Sequence, residues 1–216
     1  MTMYRTPYRF LPLALALGLA TVLSLSGCDL MELSNEPDPN EPSLEDITQN
    51  PTPEKITNVA VGVEAGMRVD LNLYLTNVST IGREVYRFSA SDPRFSADLL
   101  GRGSSVLDNN TFYITRPWAE RYRVIRNADI MLEAIDNSGD AFFDDAQKAG
   151  FEGFAQTISA YQLLLNANLT FENGIRVDVS ADDVGPVVDY GDALQDIANR
   201  LDTGFTRLQA AGDEFE

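Results

Sequence analysis

The sequence of 216 residues has no histidine, a single cysteine and only two lysines, Lys55 and Lys148. Without histidine it cannot form a Ser-His-Asp or Cys-His nucleophile system, and no side chain titrates near neutral pH at its ordinary pKa. The lone cysteine, Cys28, excludes disulfide frameworks and four-thiolate zinc sites. We therefore predict that the protein is not an enzyme and has no catalytic residue, no metal site and no cofactor.

Acidic residues outnumber basic ones by a wide margin. The chain has 33 Asp and Glu against 16 Lys and Arg, a formal net charge of -17. None of the acids lies in residues 1–27. The chain from Cys28 onward therefore has all 33 acidic residues and 14 basic ones, a net charge of -19. This balance predicts no nucleic-acid partner, because phosphate binding needs concentrated Lys and Arg. An acidic, lysine-poor surface is typical of a salt-adapted protein; a protein that is simply acidic is the alternative.

The first 27 residues have the pattern of an export signal. Arg5 and Arg9 precede an apolar run from Leu11 to Leu25 that is too short for a stable transmembrane helix. The run ends in Leu-Ser-Gly-Cys, which resembles the lipobox of bacterial lipoproteins, whose signal is cut before an acylated cysteine. We therefore predict a lipoprotein signal peptide over residues 1–27 and a lipid anchor, such as palmitate, on Cys28.

Residues 28–52 are rich in proline and acid. Five prolines lie between residues 35 and 53, interspersed with Asp and Glu. Proline fixes φ and removes a hydrogen-bond donor, and like charges repel, so we predict an extended tether over residues 28–52. A helical domain is predicted over residues 53–216.

The start of this domain has clear helix signals. Thr52 offers a capping hydroxyl, Pro53 suits the first helical position, and Glu54 places an acid in the first turn. Apolar residues at helical spacing continue to about Arg83, which predicts either one long helix or two helices that meet near residues 68–72.

Three more helices are predicted. They begin at Pro117, near Asp144 and at Tyr190, and Gly212 is placed to end the last one with a positive φ. The predicted fold class is mainly α, with tetratricopeptide-like helical hairpins in an α-α superhelix, long loops and little strand. Strand patterns are confined to the short runs Phe112–Ile114 and Ile175–Val179.

Clusters of acidic residues are candidates for chemistry. The pairs Asp144-Asp145 and Asp182-Asp183 could serve a glycosidase, but adjacent helical residues do not face each other and a helix N-terminus favours acids. Residues 136–140 place oxygen donors around a glycine without the ligand spacing of a calcium loop. We interpret these clusters as helix ends and turns.

A polar region from Ser89 to Thr115 is predicted to be a long loop, and aromatic and charged residues flank it. Flat rings stack on sugar faces, and polar side chains bind hydroxyls. The candidate ligand-binding residues are therefore Tyr86, Arg87, Phe112 and Tyr113, with core packing as the alternative for each. Aromatic residues on regular helical stripes are predicted to be core: Trp118, Tyr122, Phe151, Phe154 and Tyr161.

The order of these features resembles SusD/RagB lipoproteins. The lipobox is followed by the segment Trp118–Asp129, which has a similar Trp, Tyr, Ile and Asn-Ala pattern. The segment Gly153–Tyr161 is similar to the second hairpin helix of that family, with a small residue where helices cross. The segments Ala193–Asp202 and Leu208–Phe215 resemble the helix that follows.

This resemblance implies an outer-membrane, cell-surface lipoprotein that binds nutrient oligomers, mostly glycans, and delivers them to a SusC-like TonB-dependent transporter. Family members are much longer, so the resemblance also implies that the helical domain is incomplete at its C-terminus. The charge of the chain predicts neutral ligands. The alternative hypothesis is a helical-repeat scaffold lipoprotein that binds a protein partner, such as an envelope assembly factor.

Overall fold

The computed structural model describes residues 42–88, 91–108, 110–139, 142–179 and 184–212. This part of the chain is mainly helical with little strand, which confirms the mainly α part of the predicted fold class. None of the described helices is long and apolar enough to cross a membrane. The elements are α1 (Leu44–Gln49), α2 (Pro53–Gly66), α3 (Leu71–Ile81), α4 (Arg94–Ala97), α5 (Phe112–Asp136), α6 (Asp145–Thr170), a 3-10 turn (Phe171–Asn173), β1 (Ile175–Arg176), β2 (Val187–Val188) and α7 (Tyr190–Ala211).

The described end of the predicted tether is folded. The predicted signal peptide, Cys28 and residues 29–41 of the tether lie outside the described residues. Thr48 in α1 is buried, and its carbonyl accepts a hydrogen bond of 2.9 Å from the side chain of Asn137. Lys55 forms an ion pair of 2.8 Å with Asp46. The prediction of an extended chain is therefore wrong for residues 44–49, because these contacts hold α1 against α2 and α5.

The predicted helix after Pro53 divides into two. Helix α2 ends at Gly66 and α3 begins at Leu71, which confirms the second of the two alternatives. Backbone carbonyls near a helix end need partners from outside the helix. The fully buried Arg121 of α5 supplies them, since its guanidinium donates to the carbonyl oxygens of Met67 and Val69.

Helix α5 begins five residues before the proline that was predicted to open it. The run Phe112–Ile114 forms its first turn, so the strand predicted there is wrong. Pro117 lies inside the helix and cannot donate to the carbonyl of Tyr113. The buried side-chain amide of Asn77 in α3 donates to that carbonyl instead. This replacement explains how α5 continues through the proline.

Helices α6 and α7 make the closest helix contact in the described chain. The capping box of Asp144 and Gln147 starts α6 at the predicted place. A Cβ built on Gly153 would lie 2.7 Å from Leu208 Cγ and 2.9 Å from Leu208 N, so only glycine fits this crossing. Helix α7 starts at Tyr190 as predicted and is followed by Gly212 with a φ of 76°.

The long helices run antiparallel in succession and enclose the core. Ile125 of α5 packs with Leu163 of α6 and Ile197 of α7 in one buried cluster. A second cluster joins α5 and α6 to Ile56 of α2. The two-stranded antiparallel sheet pairs Ile175 with Val188 and connects α6 to α7. The strand prediction for residues 175–179 is thus correct only at its first two positions.

Two of the five aromatic residues predicted to be core lie at the surface. Trp118 is 40% exposed and Tyr161 is 41% exposed. The ring of Trp118 packs edge-on against Tyr122 at 4.7 Å between centroids, which covers one side of it only. The prediction is therefore wrong for Trp118 and Tyr161, whereas Tyr122, Phe151 and Phe154 pack against the buried clusters.

Candidate ligand-binding site

A small aromatic cluster connects α4 to the first turn of α5. The ring centroids of Phe95 and Phe112 are 6.1 Å apart, and those of Phe112 and Tyr113 are 5.8 Å apart, both edge-on. Phe95 and Tyr113 are buried, whereas Phe112 is partly exposed. The Tyr113 hydroxyl donates to Asp98 Oδ2 at 3.3 Å. The cluster gives the surrounding surface a rigid apolar base.

Two arginines lie over the faces of these rings. The guanidinium carbon of Arg87 is 3.8 Å from the centroid of Phe95, and that of Arg94 is 4.8 Å from the centroid of Phe112. A guanidinium that stacks on a ring uses its face, so its N–H donors at the edge stay available. The rings thus hold both arginines in place without neutralising their charge.

Two carboxylates complete the surface. Asp70, in the link between α2 and α3, accepts two hydrogen bonds from Arg116, of 2.9 and 2.7 Å. Asp92 accepts two from the Arg94 side chain, both of 2.9 Å. The hydrogen bonds from Arg94 are the main cause that lowers the pKa of Asp92. Each of the two carboxylates therefore already forms an ion pair with an arginine.

A pocket of about 440 Å³, here called the Phe112 pocket, is lined by the rings of Phe95 and Phe112 together with Arg87, Arg116 and both carboxylates. Its walls come from the link between α2 and α3, the segment before α4, and the first residues of α5. The charged residues on its wall are Asp70, Arg87, Asp92 and Arg116. The pocket thus offers a partly exposed ring beside hydrogen-bond donors and acceptors.

A second pocket, of about 510 Å³, is here called the Tyr86 pocket. Its polar wall residues are Arg83, Glu84, Tyr86 and Arg102, and Arg102 donates to the Tyr86 hydroxyl at 3.4 Å. Arg83 has a φ of 61° and Asp70, in the other pocket, has a φ of 52°. Positive φ is uncommon outside glycine, and such backbone tends to occur at functional sites.

The structure separates the four predicted ligand-binding residues. Arg87 and Phe112 line one pocket, and Tyr86 lines the other. Tyr113 is 0% exposed, so its prediction as a wall residue is wrong. The helical turn explains the difference, because residues adjacent in a helix point about 100° apart and Phe112 takes the outer position. Four further wall residues, Asp70, Arg83, Arg102 and Arg116, were not predicted from the sequence.

The acidic clusters fit the helix-end interpretation where they are described. The carboxylate of Asp144 caps α6, and Asn137 is the C-cap of α5. Asp140 and the pair Asp182-Asp183 lie outside the described residues. Within the described ranges, no group of three or more Asp, Glu, His or Cys side chains is placed to hold a metal ion.

One carboxyl group outside the pockets has a strongly shifted pKa. Burial raises the pKa of Asp129, on α5, from its ordinary value of 3.8 to about 6. Arg200 and Arg126 act in the opposite direction, and Asp178 adds to the increase. Asp129 therefore titrates in the mildly acidic range and links the stability of the helices to pH.

The class of protein that these observations define is a mainly helical one with two neighbouring pockets rich in arginine and aromatic residues. Comparisons with known proteins do not narrow this class. No protein-family model matches the chain, and searches of curated proteins and of solved structures find no similar chain.

Proposed function

We propose that the protein is an outer-membrane lipoprotein of the SusD/RagB type, anchored through Cys28 and exposed at the cell surface. In this role it binds nutrient oligomers, most of all glycans, and hands them to a SusC-like TonB-dependent transporter. The helical hairpins would belong to a tetratricopeptide-like superhelix. Support comes from the lipobox, from the order of the resembling segments, and from the antiparallel succession of α5, α6 and α7.

The Phe112 pocket is the observation that carries the binding role. A partly exposed ring next to paired Arg and Asp side chains suits a sugar, whose ring faces are apolar and whose edges carry hydroxyls. Capture and delivery need positioned contacts and no acid–base group. The chain offers such contacts from three separate segments, and the salt bridge between Asp70 and Arg116 joins two of them.

The experiment is a calorimetric screen of the full chain against oligosaccharides, followed by substitution of Phe112. We expect Phe112→Ala to weaken binding about tenfold, because the stacking surface is lost. Phe112→Tyr keeps the ring and should keep the affinity. Phe142→Ala is the matched control, since Phe142 is an exposed phenylalanine outside both pockets. Equal affinity of Phe112→Ala and the unmodified chain would place the binding surface elsewhere.

A scaffold lipoprotein that binds a protein partner is the second candidate. One observation favours it: α7 exposes an apolar stripe at helical spacing, formed by Leu201, Phe205 and Leu208. This proposal would replace the first one under two conditions. No oligomer would bind in the screen, and envelope assembly factors, but no TonB-dependent barrel, would co-purify with the chain.

A further inference from the structure

The segment from Arg83 to Arg116 has a charge balance unlike the rest of the chain. It contains five arginines against four acidic residues, whereas the whole chain has 33 acids against 16 bases. The sequence alone predicted neutral ligands from the total charge. Ionic screening weakens the effect of the total charge on a ligand, because charges more than about 8 Å apart act weakly on each other at physiological salt. The charge inside the pockets therefore matters more for a bound group than the total does.

Three of these arginines keep their charge available. Arg94 and Arg116 are paired with Asp92 and Asp70. Arg83, Arg87 and Arg102 form no ion pair with any described carboxylate. Arg83 and Arg102 share the Tyr86 pocket with one carboxylate, Glu84. Arg87 lies in the Phe112 pocket, where Asp92 also acts on it electrostatically but is paired with Arg94.

Neighbouring groups hold the side chains of Arg87 and Arg102 and the backbone of Arg83. Arg87 stacks on the buried ring of Phe95. Arg102 donates to the Tyr86 hydroxyl. The turn that contains Arg83 is fixed by a backbone hydrogen bond of 2.8 Å from Glu84 N to Ser79 O. A positioned guanidinium loses less freedom on binding and matches the two oxygens of a carboxylate or sulfate.

We propose that the two pockets bind a glycan that carries anionic groups, carboxylate or sulfate, along its length. Arg87 receives one anionic group in the Phe112 pocket, and Arg83 with Arg102 receives another in the Tyr86 pocket. Tyr86 of one pocket and Arg87 of the other are consecutive in the chain, so one oligomer is long enough to reach both pockets. This inference rests on the proposed glycan-binding function and narrows it to one class of glycan.

The test compares three oligosaccharides of equal length, one neutral, one carboxylated and one sulfated, by calorimetry with the full chain. At least one anionic oligomer is expected to bind ten or more times more tightly than the neutral one, and the better of the two identifies the group. Arg87→Gln and Arg102→Gln should each lower the ratio of the affinity for the anionic oligomer to that for the neutral one about tenfold.

The matched control is Arg123→Gln, which removes the same charge from an exposed arginine of α5 outside both pockets. Its affinity for the anionic oligomer should equal that of the unmodified chain. A neutral oligomer that binds as tightly as the anionic ones would overturn the inference and leave the proposed function standing. An equal loss with Arg123→Gln would also overturn it, because a general charge effect would explain the result. Failure of all three oligomers to bind would overturn both proposals.

Discussion

Close packing is achieved in different ways in the long helices α5, α6 and α7 and in the segment from Arg83 to Arg116. In the helices, glycines remove side chains so that backbones touch, as Gly153 does against Leu208. In the segment, long charged side chains lie flat on rings, as Arg87 does on Phe95. The first arrangement leaves no room for a ligand and the second leaves donors at a surface. Under the proposed function, stability and recognition therefore depend on different parts of this chain.

The largest expected effect comes from a substitution that disrupts the crossing of α6 and α7. Gly153→Ala places a Cβ against the backbone of Leu208, which cannot move without shifting α7. We expect the free energy of unfolding to fall by about 3 kcal/mol, measured by urea denaturation. Gly62→Ala is the matched control, because Gly62 is a helical glycine of α2 with nothing within 4 Å of an added Cβ. That variant should gain about 1 kcal/mol. A tolerated Gly153→Ala would contradict the close crossing.

An intermediate effect concerns the pH dependence of the helices. The pKa of Asp129 is raised in the folded state to about 6, so the folded state holds its proton more tightly than the unfolded state does. Its contribution to stability is complete below pH 3.8 and is lost as the pH rises to about 6. We expect Asp129→Asn to stabilise the protein at pH 7.5 by about 2 kcal/mol and to change little at pH 3.5. Thermal denaturation at both pH values measures this, and an equal shift at both would contradict it.

The smallest expected effect concerns a buried polar side chain of helix α6. Gln162 of α6 is fully buried, and neither polar atom of its side chain has a hydrogen-bond partner among the described residues. Gln162→Met keeps the volume and removes the unpaired amide, so we expect a gain of about 1 kcal/mol in urea denaturation. A loss of stability would show that the amide has a partner. Gln156→Met, at a half-buried position of the same helix, controls for the helix propensity of the substitution.

Periodicity and caps predicted most of the fold because those signals are local. Asp144 and Tyr190 marked the starts of α6 and α7, and the break between α2 and α3 lay within the predicted interval. The start of α5 was missed because Pro117 and the run Phe112–Ile114 are local signals against a helix there. A hydrogen bond from Asn77, which lies in another helix, overrides both.

The candidate site was predictable only in part, for a similar reason. Arg87 lies just before the polar region that the sequence marks as a loop, and Phe112 lies near the end of that region. Asp70 is separated from Arg116 by 46 residues, and no local pattern connects them. Tyr113 is aromatic like its neighbour Phe112, and the sequence does not show that the helix turns Tyr113 inward and Phe112 outward.

The hydrogen bond from Asn77 to the carbonyl of Tyr113 has a consequence for the order of assembly. A helix that begins at Phe112 lacks one of its own bonds at Pro117, so its first turn is completed by a side chain from α3. Phe112 and Arg116 belong to that turn, and both line the Phe112 pocket. We therefore expect the pocket to form as a late folding event, after α3 has docked, and to be lost first when the protein begins to unfold.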